Sequence, residues 1–555
     1  MRSRSVARFI AIAGLVALGS GCAGSRGSTS MVPHVGSNVP TGAERSVTFK
    51  LVVPTKPGAG TTSQRRVPKY VSPSTQSIAI IVNGGTPVAE TIQTSGPNCT
   101  TPTVISPTTC TISFTAPVGT DTIEIDTYDQ PNTGSGPYVG NDLSNTSFLA
   151  TITAGENNVI TATLGGVAAS ATVTPLANSG YLVGSQSGMI AYGDKSFSVA
   201  VVSYDADQNP IVGLGAPSLS LQGSSGLSIT GPATGASQNI FTFKNTAFGT
   251  SEQLIATVTP LAGTTGQPVT EAIPVETKHV VVYTLNPTNN AAYVFYDENG
   301  TAQYSLAVPG GNNAEDGLAV DANGTVAIPI SNGTVDVYTN GATSPSYTIS
   351  GVVSNPGGAC FDHEGDLYLT DSNGNSGNGQ VEMVTAGGTT TAATYKTDIV
   401  GPFACAVDPV DDSLWVLNLG NSSVVQYPHG STTPEQEFAL SGGESYSDES
   451  IALDRFGTMY IGENDASDVP QVQVYLLGTH SSDFVLNTYD PSGFWAPTGL
   501  AVDVAGNLWV GDFTNGGGGG AVQEYPGYVT ASSSATMLPY TPLNSLLGLA
   551  VNPSQ

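Results

Sequence analysis

The stretch GLAVDVAGNLWVGD, Gly499 to Asp512, decides how this chain is read. It runs from an apolar segment, Leu500-Ala-Val502, through an acidic turn at Asp503 into a second apolar segment, Leu508-Trp-Val510. Weaker copies recur upstream and once more downstream. Aligned on the turn residue they fall at Asp321, Asp362, Asp408, Asp454, Asp503 and Asn552, in steps of 41, 46, 46, 49 and 49 residues. A fixed period of that length marks one supersecondary unit repeated along the chain. The last copy, Gly548 to Asn552, is followed by three residues only. Segments able to complete it lie far upstream, at His279 to Tyr283, Ala292 to Tyr296 and Gln303 to Val308, and these lack an opening copy of their own. The two ends of residues 279–555 are therefore expected to share one sheet and close a ring.

Dividing these 277 residues among six units gives about 46 each, the length of a four-stranded propeller blade. Within a unit the opening segment is an uninterrupted apolar run, as a strand covered on both faces requires. The third and fourth strands form a recurring hairpin: Val335-Asp-Val-Tyr338 with Gly341, Val424-Val-Gln-Tyr427 with Gly430, Val472-Gln-Val-Tyr475 with Gly478. These residues resemble NHL-type repeats and the wider six-bladed family that includes the gluconolactonases. The resemblance covers half of the chain and implies a six-bladed β-propeller.

Composition agrees with an all-β, multidomain chain. Of 555 residues 67 are Gly and 36 Pro, which supply many turns, and only 10% are charged. Two β-sandwich domains are expected ahead of the ring. Residues 46–166 alternate in short runs such as Ser77 to Val82, Thr111 to Phe114, Ser147 to Thr153 and Asn158 to Leu164. In Thr122-Ile-Glu-Ile-Asp126, Ile123 and Ile125 share one face, and Glu124 and Asp126 the other. Asp129, Asp142 and Glu156 read as turn residues. In residues 167–278, Phe197 to Val201 alternates cleanly before a turn at Asp205-Ala-Asp-Gln-Asn-Pro210. That turn resembles those of bacterial immunoglobulin-like domains of surface proteins, implying an Ig-like spacer.

The N-terminus places Arg2, Arg4 and Arg8 before thirteen small or apolar residues, Phe9 to Gly21, and then Cys22. The run is too short to span a membrane and reads as a signal segment over residues 1–22. It resembles a bacterial lipoprotein signal, which implies lipidation of Cys22 and export to the cell envelope, periplasmic or cell-surface. Leu18 stands four residues before Cys22 where the family places its Leu three before, so cleavage by ordinary signal peptidase and secretion stays open. Residues 23–45, rich in Gly, Ser, Thr and Pro, read as a flexible tether.

Charge is segregated. Residues 1–69 hold ten of the fifteen Lys and Arg, and residues 70–555 hold five bases against 42 acids, a net of −37. Such a field repels nucleic acid. Cys99 and Cys110, flanked by turn-forming residues, are expected to bridge locally in an oxidising compartment. Cys360 and Cys405 fall at opposite strand parity, which brings them together between neighbouring units either as a disulfide or as two buried thiols.

Chemistry is expected where the connections into the first strand and out of the second open around the channel. Those loops supply Glu315, Asp371, Asn418, Asn464 and Asp512, oxygen ligands suited to Ca²⁺ or another divalent cation. The gluconolactonase resemblance implies a catalytic metal there; the plainer reading is that Asp and Asn after a strand bind their own turn backbone. Tyr446, Phe494, Trp495 and Phe513 are candidates for stacking on a sugar or peptide. His363-Glu364 reads as a turn, and no GxSxG elbow or P-loop occurs. With no base, nucleophile or metal triad in view, the expected function is an envelope lipoprotein whose propeller binds a glycan, peptide or protein. The alternative is a metal-dependent lactonase or a lyase of the virginiamycin type.

Overall fold

The computed structural model describes residues 42–54, 71–92, 98–100, 107–132, 139–176, 180–231, 239–297, 299–309, 317–374, 377–440, 450–464, 470–479, 481–486, 497–512, 520–527, 529–538, 540, 543 and 546–552. Cys22, Glu315, Tyr446, Phe494, Trp495 and Phe513 lie outside the described residues. Among those described, every regular element except the 3₁₀ turn Pro287–Asn289 is a strand, so the chain is all-β.

From Val281 onward the strands form six four-stranded antiparallel sheets. Five are built from consecutive strands, such as Pro497–Val502, Leu508–Asp512, Ala521–Tyr525 and Thr536–Leu538. The sixth joins Val281–Asn286, Ala291–Tyr296 and Asn299–Ala307 to Gly548–Asn552, with Tyr283 opposite Ala550 and Val281 opposite Asn552. Apolar clusters then link each sheet to the next. Leu285 and Val294 pack with Ile328, Val337 with Leu369, Tyr368 with Val416, Leu417 with Ile461, and Val474 with Val510. A last cluster returns from Trp509 and Val522 to Val282 and Phe295. The arrangement is propeller-like, and its cause is legible locally. Four of the third strands end in a glycine-turned hairpin, and Gly341, Gly387, Gly430 and Gly478 sit at φ 82°, 70°, 71° and 76°, where a side chain would be strained.

Cys360 and Cys405 are bonded, stapling the first strands of two neighbouring sheets, Pro356–Phe361 and Pro402–Val407. Cys99 and Cys110 are bonded as well.

Upstream, the strands between Glu44 and Gly166 form a three-stranded and a five-stranded sheet. They enclose a core of Val47, Phe49, Ile78, Ile80, Ile112, Phe114, Ile123 and Ile125. Two expectations shift. The tether does not extend to residue 45, because Glu44 opens the strand Glu44–Val53. Asp142 is not in a turn but begins the strand Asp142–Ile152, whereas Asp129 does tie a turn, accepting from the Asn141 N–H at 2.8 Å and its amide at 2.7 Å.

The strands from Ser170 to Lys278 form a five-stranded and a four-stranded sheet. Their core is not separate from the ring: Val199, Phe243, Ile273 and Val275 belong to the same cluster as Val282, Phe295, Trp509 and Leu549. The segment expected as a spacer is thus welded to the ring by shared apolar burial. Its Asp205 turn is also a joint. Asp205 Oδ1 accepts from the N–H groups of Asp207 and Asn209 at 3.0 and 2.9 Å, and the Asn209 amide reaches the hydroxyls of Ser72 and Ser74 at 3.2 and 3.0 Å.

Candidate functional site: a narrow channel and a buried rim

The first strands of the six sheets surround a cavity of about 70 Å³ lined by Leu318, Ala359, Phe403, Ile451, Thr498 and Leu549. That is room for a few waters, well below the roughly 300 Å³ at which ligand pockets begin. Glycine makes this narrowness possible. A Cβ on Gly317 would stand 2.5 Å from Gly358 Cα, one on Gly358 2.8 Å from Phe403 O, and one on Gly499 2.6 Å from Leu549 N. Neighbouring strands therefore meet backbone to backbone. Hydroxyls stitch them further: Thr370 donates to Phe403 O at 2.9 Å, Ser450 to Pro497 O at 2.9 Å and Thr498 to Leu546 O at 2.6 Å.

The rim is formed where the second strands end, at Asp371, Asn418, Glu463 and Asp512, all almost fully buried. Asp371 takes the N–H of Ser354 at 2.9 Å, that of Asn355 at 3.0 Å and the Ser354 hydroxyl at 3.0 Å. It thus holds the connection entering the first strand of its own sheet. Asn418 does the same for its sheet, donating to Asp398 O at 2.9 Å and accepting from Val400 N at 3.3 Å. Glu463 accepts from Gln471 at 2.8 Å and from Gln473. Asn464 closes the strand Met459–Asn464. Among the described residues no group of three or more His, Cys, Asp or Glu is placed to share a metal ion.

A ring of buried polar residues midway along the third strands, Asp336, Glu382, Gln473 and Gln523, escaped the sequence reading. Asp336 accepts from Thr348 at 2.9 Å, and burial holds its carboxyl above the usual range. Glu382 accepts from Gln380 at 2.5 Å and Thr394 at 2.9 Å. The signal was present as a polar residue set between apolar ones two positions before a tyrosine, as in Val335-Asp-Val-Tyr338.

At the opposite end of the sheets, the repeat's acidic residue caps its own turn. Asp321, Asp362, Asp454 and Asp503 each accept, through Oδ1, the N–H groups two and four residues on, at 2.7 to 3.0 Å. The second oxygens of the last three take an aromatic donor from the following strand: Tyr368 to Asp362 and Tyr460 to Asp454, both at 3.2 Å, and Trp509 to Asp503 at 2.8 Å. Among the described residues, Asp503 alone of these four receives a donor from outside the ring, Tyr181, at 2.5 Å. Burial pushes the Asp503 carboxyl up and Tyr181 well above the usual phenol range. Gly180 makes this approach possible, because a Cβ there would sit 2.6 Å from Ala505 Cα. His363 pairs with Asp412 of the adjacent turn at 2.6 Å, and His279 is stacked between Phe248 and Tyr296 with ring centroids 4.3 and 3.6 Å away. These are structural ties; no acid and base face a shared cavity among them.

No protein-family model matches the chain, and no curated protein matches it by sequence. Solved structures that align with it include a protein of unknown function from Bacteroides caccae, at 10% identity over 49% of this chain and 99% of that one, TM-score 0.39. A chain of the nidogen/laminin complex aligns at 17% identity over 50% of this chain and 99% of that one, TM-score 0.39. Hydrazine synthase of Kuenenia stuttgartiensis aligns at 13% identity over 42% of this chain and 68% of that one, TM-score 0.32.

Proposed function

We propose that the chain is an exported envelope lipoprotein, anchored through Cys22, in which residues 279–555 form a six-bladed NHL-like propeller acting as a binding module. Residues 46–166 and 167–278 are its two Ig-like sandwiches. The observation that supports binding over catalysis is the rim. Asp371 and Asn418, two of the five residues expected to ligate a channel metal, already hold the backbone of their own connections, over a cavity of about 70 Å³. Recognition then falls to the loops of that face, where Tyr446, Phe494, Trp495 and Phe513 supply aromatic faces for a glycan or peptide. The test is saturable binding of the purified full chain to envelope glycan or peptide. Loss of binding on Trp495→Ala and indifference to chelator support the module. Hydrolysis or elimination of a lactone substrate that stops on chelation refutes it in favour of the metal-dependent enzyme.

A further inference from the structure

Five of the six sheets of the ring carry an aromatic residue at one matched position of the second strand. Tyr283, Tyr368, Trp415, Tyr460 and Trp509 stand opposite Ala550, Cys360, Ala406, Ala452 and Ala501 of the first strand, each of these two residues before the turn residue of the repeat. Tyr368, Tyr460 and Trp509 use their O–H or N–H to bond the second oxygen of the turn carboxylate. The remaining sheet, which contains Val326–Ile330 and Thr334–Tyr338, places Ala327 at that position, opposite Ala319. Alanine supplies neither ring nor donor. Asp321 Oδ1 holds the N–H groups of Asn323 and Thr325 at 2.9 and 2.7 Å, whereas its Oδ2 accepts no hydrogen bond among the described residues. The residue is nevertheless only 9% exposed.

The room for the missing ring is still there. A cavity of about 200 Å³ opens where this sheet faces the next, and Asp321, Val337, Tyr347, Phe361, Leu367 and Val384 line it. Ala327, Val337 and Tyr347 are successive cross-strand neighbours in one row, and Ala327 packs in the cluster that holds Val337, Leu367 and Val384. The cavity therefore lies over the face from which the ring is absent. A Cβ on Gly365, which also lines it, would stand 3.8 Å from Asp321 Oδ2, so that oxygen is on the cavity side. No Lys, Arg or His lines the cavity among the described residues. A buried carboxylate oxygen without a donor costs free energy that an incoming donor recovers. Volume limits what that donor is carried on: an apolar cavity of about 150 Å³ takes benzene, and drug-sized ligands begin at roughly 300 Å³.

We propose that this recess binds a small planar aromatic molecule bearing one N–H or O–H donor, an indole or a phenol. The guest replaces the side chain that the other sheets supply for themselves. Its ring packs against Tyr347, Phe361 and Leu367, and its donor bonds Asp321 Oδ2.

The experiment uses the full chain, with indole as the probe and benzofuran, which keeps the shape and lacks the N–H, as its comparison. Calorimetric titration is expected to show one saturable indole site with Kd on the order of 10⁻⁴ to 10⁻³ M. Benzofuran is expected to bind about tenfold more weakly or worse, because only indole bonds the carboxylate. Ala327→Tyr restores the ring found in the other sheets and is expected to abolish indole binding without lowering the melting temperature. Asp321→Asn keeps an oxygen for the N–H groups of Asn323 and Thr325 but turns an amide into the recess. It is expected to bring indole down to the affinity of benzofuran and to leave benzofuran unchanged, and this titration decides alone should Ala327→Tyr fail to fold. The absence of a saturable indole site, equal affinity for indole and benzofuran, or indole binding that survives either substitution at full strength overturns the proposal.

Discussion

Removing residues 546–555 opens the ring. The strand Gly548–Asn552 contributes five residue pairs to the sheet it shares with Val281–Asn286, from Leu285 opposite Gly548 to Val281 opposite Asn552. Its apolar side chains are spent on both flanks. Leu546, Leu549 and Val551 are 0%, 4% and 1% exposed in the cluster containing Val282, Phe295 and Trp509, while Ala550 packs with Leu285 and Ile328. At about 1.5–3 kcal/mol for each of the three large side chains, the deletion costs roughly 5–9 kcal/mol before any ladder hydrogen bond is counted. A whole domain is stable by only about 5–15 kcal/mol, so the closed form loses most or all of its margin. Trypsin is a poor reporter, because residues 279–555 contain only Lys396 and Arg455 as cleavage sites. A protease cleaving after aromatic residues is better, since Tyr338, Tyr427, Tyr475 and Tyr525 are fully buried and become cleavable only on opening. The truncated chain is expected to be cut at these four tyrosines under conditions that leave the same four sites uncut in the parent, and a peptide of residues 546–555 added in trans is expected to restore their protection. An unchanged melt and unchanged protection in the truncated chain would refute the closure.

Three further outcomes follow from the geometry. Gly358→Val drives a side chain into Phe403 O and Ala404 Cα of the next sheet, costing about 1–3 kcal/mol, read as a lower denaturant midpoint. Tyr181→Phe removes the donor to buried Asp503 and the acceptor of Asn507 Nδ2 at 2.6 Å, lowering stability by about 1.5–3 kcal/mol in the same assay. Melting temperature falls between pH 5 and pH 8. Burial raises the carboxyls of Asp503, Glu524, Asp336 and Asp408, so above about pH 4 the folded chain holds protons the unfolded chain has released. That contribution is full below the unfolded values and is lost as pH rises through the raised ones. Glu252 and Asp483, held low by the Ser224 and Thr479 hydroxyls, act only below about pH 4. His279, lowered by burial, opposes the trend only as pH falls through about 6.5, one group against these four and the likewise raised Asp126 and Asp142. A melt that rises over this range contradicts the assignment.

The propeller-like part of the fold was legible because the repeat's acidic residue has a local duty. Asp321, Asp362, Asp454 and Asp503 bind N–H groups two and four positions ahead, so the signal is complete within seven residues of sequence. Asp503 also shows where such reading ends. In sequence it is one copy among six, and only Tyr181, 322 residues away, makes it a joint. Asp126 is similar: alternation placed it on the outer face of its strand, but nothing nearby announced that Leu261 to Thr265 would cover that face. The channel's width was hidden for the same reason. Gly499, which opens GLAVD, serves to let Leu549 approach from the far end of the repeat, a contact its sequence neighbours do not announce. Glu315 and the four aromatic candidates lie outside the described residues.

The core shared by the second pair of sheets and the ring has a mechanical meaning. Val275, Phe295, Trp509 and Leu549 sit in one cluster, with Tyr181, Gly180 and the Phe248–His279–Tyr296 stack around it. Such a weld resists torque, so the channel mouth keeps one bearing relative to the sheets beneath it. Whatever pulls on that mouth loads the body behind it directly, with no swivel between them to absorb the strain.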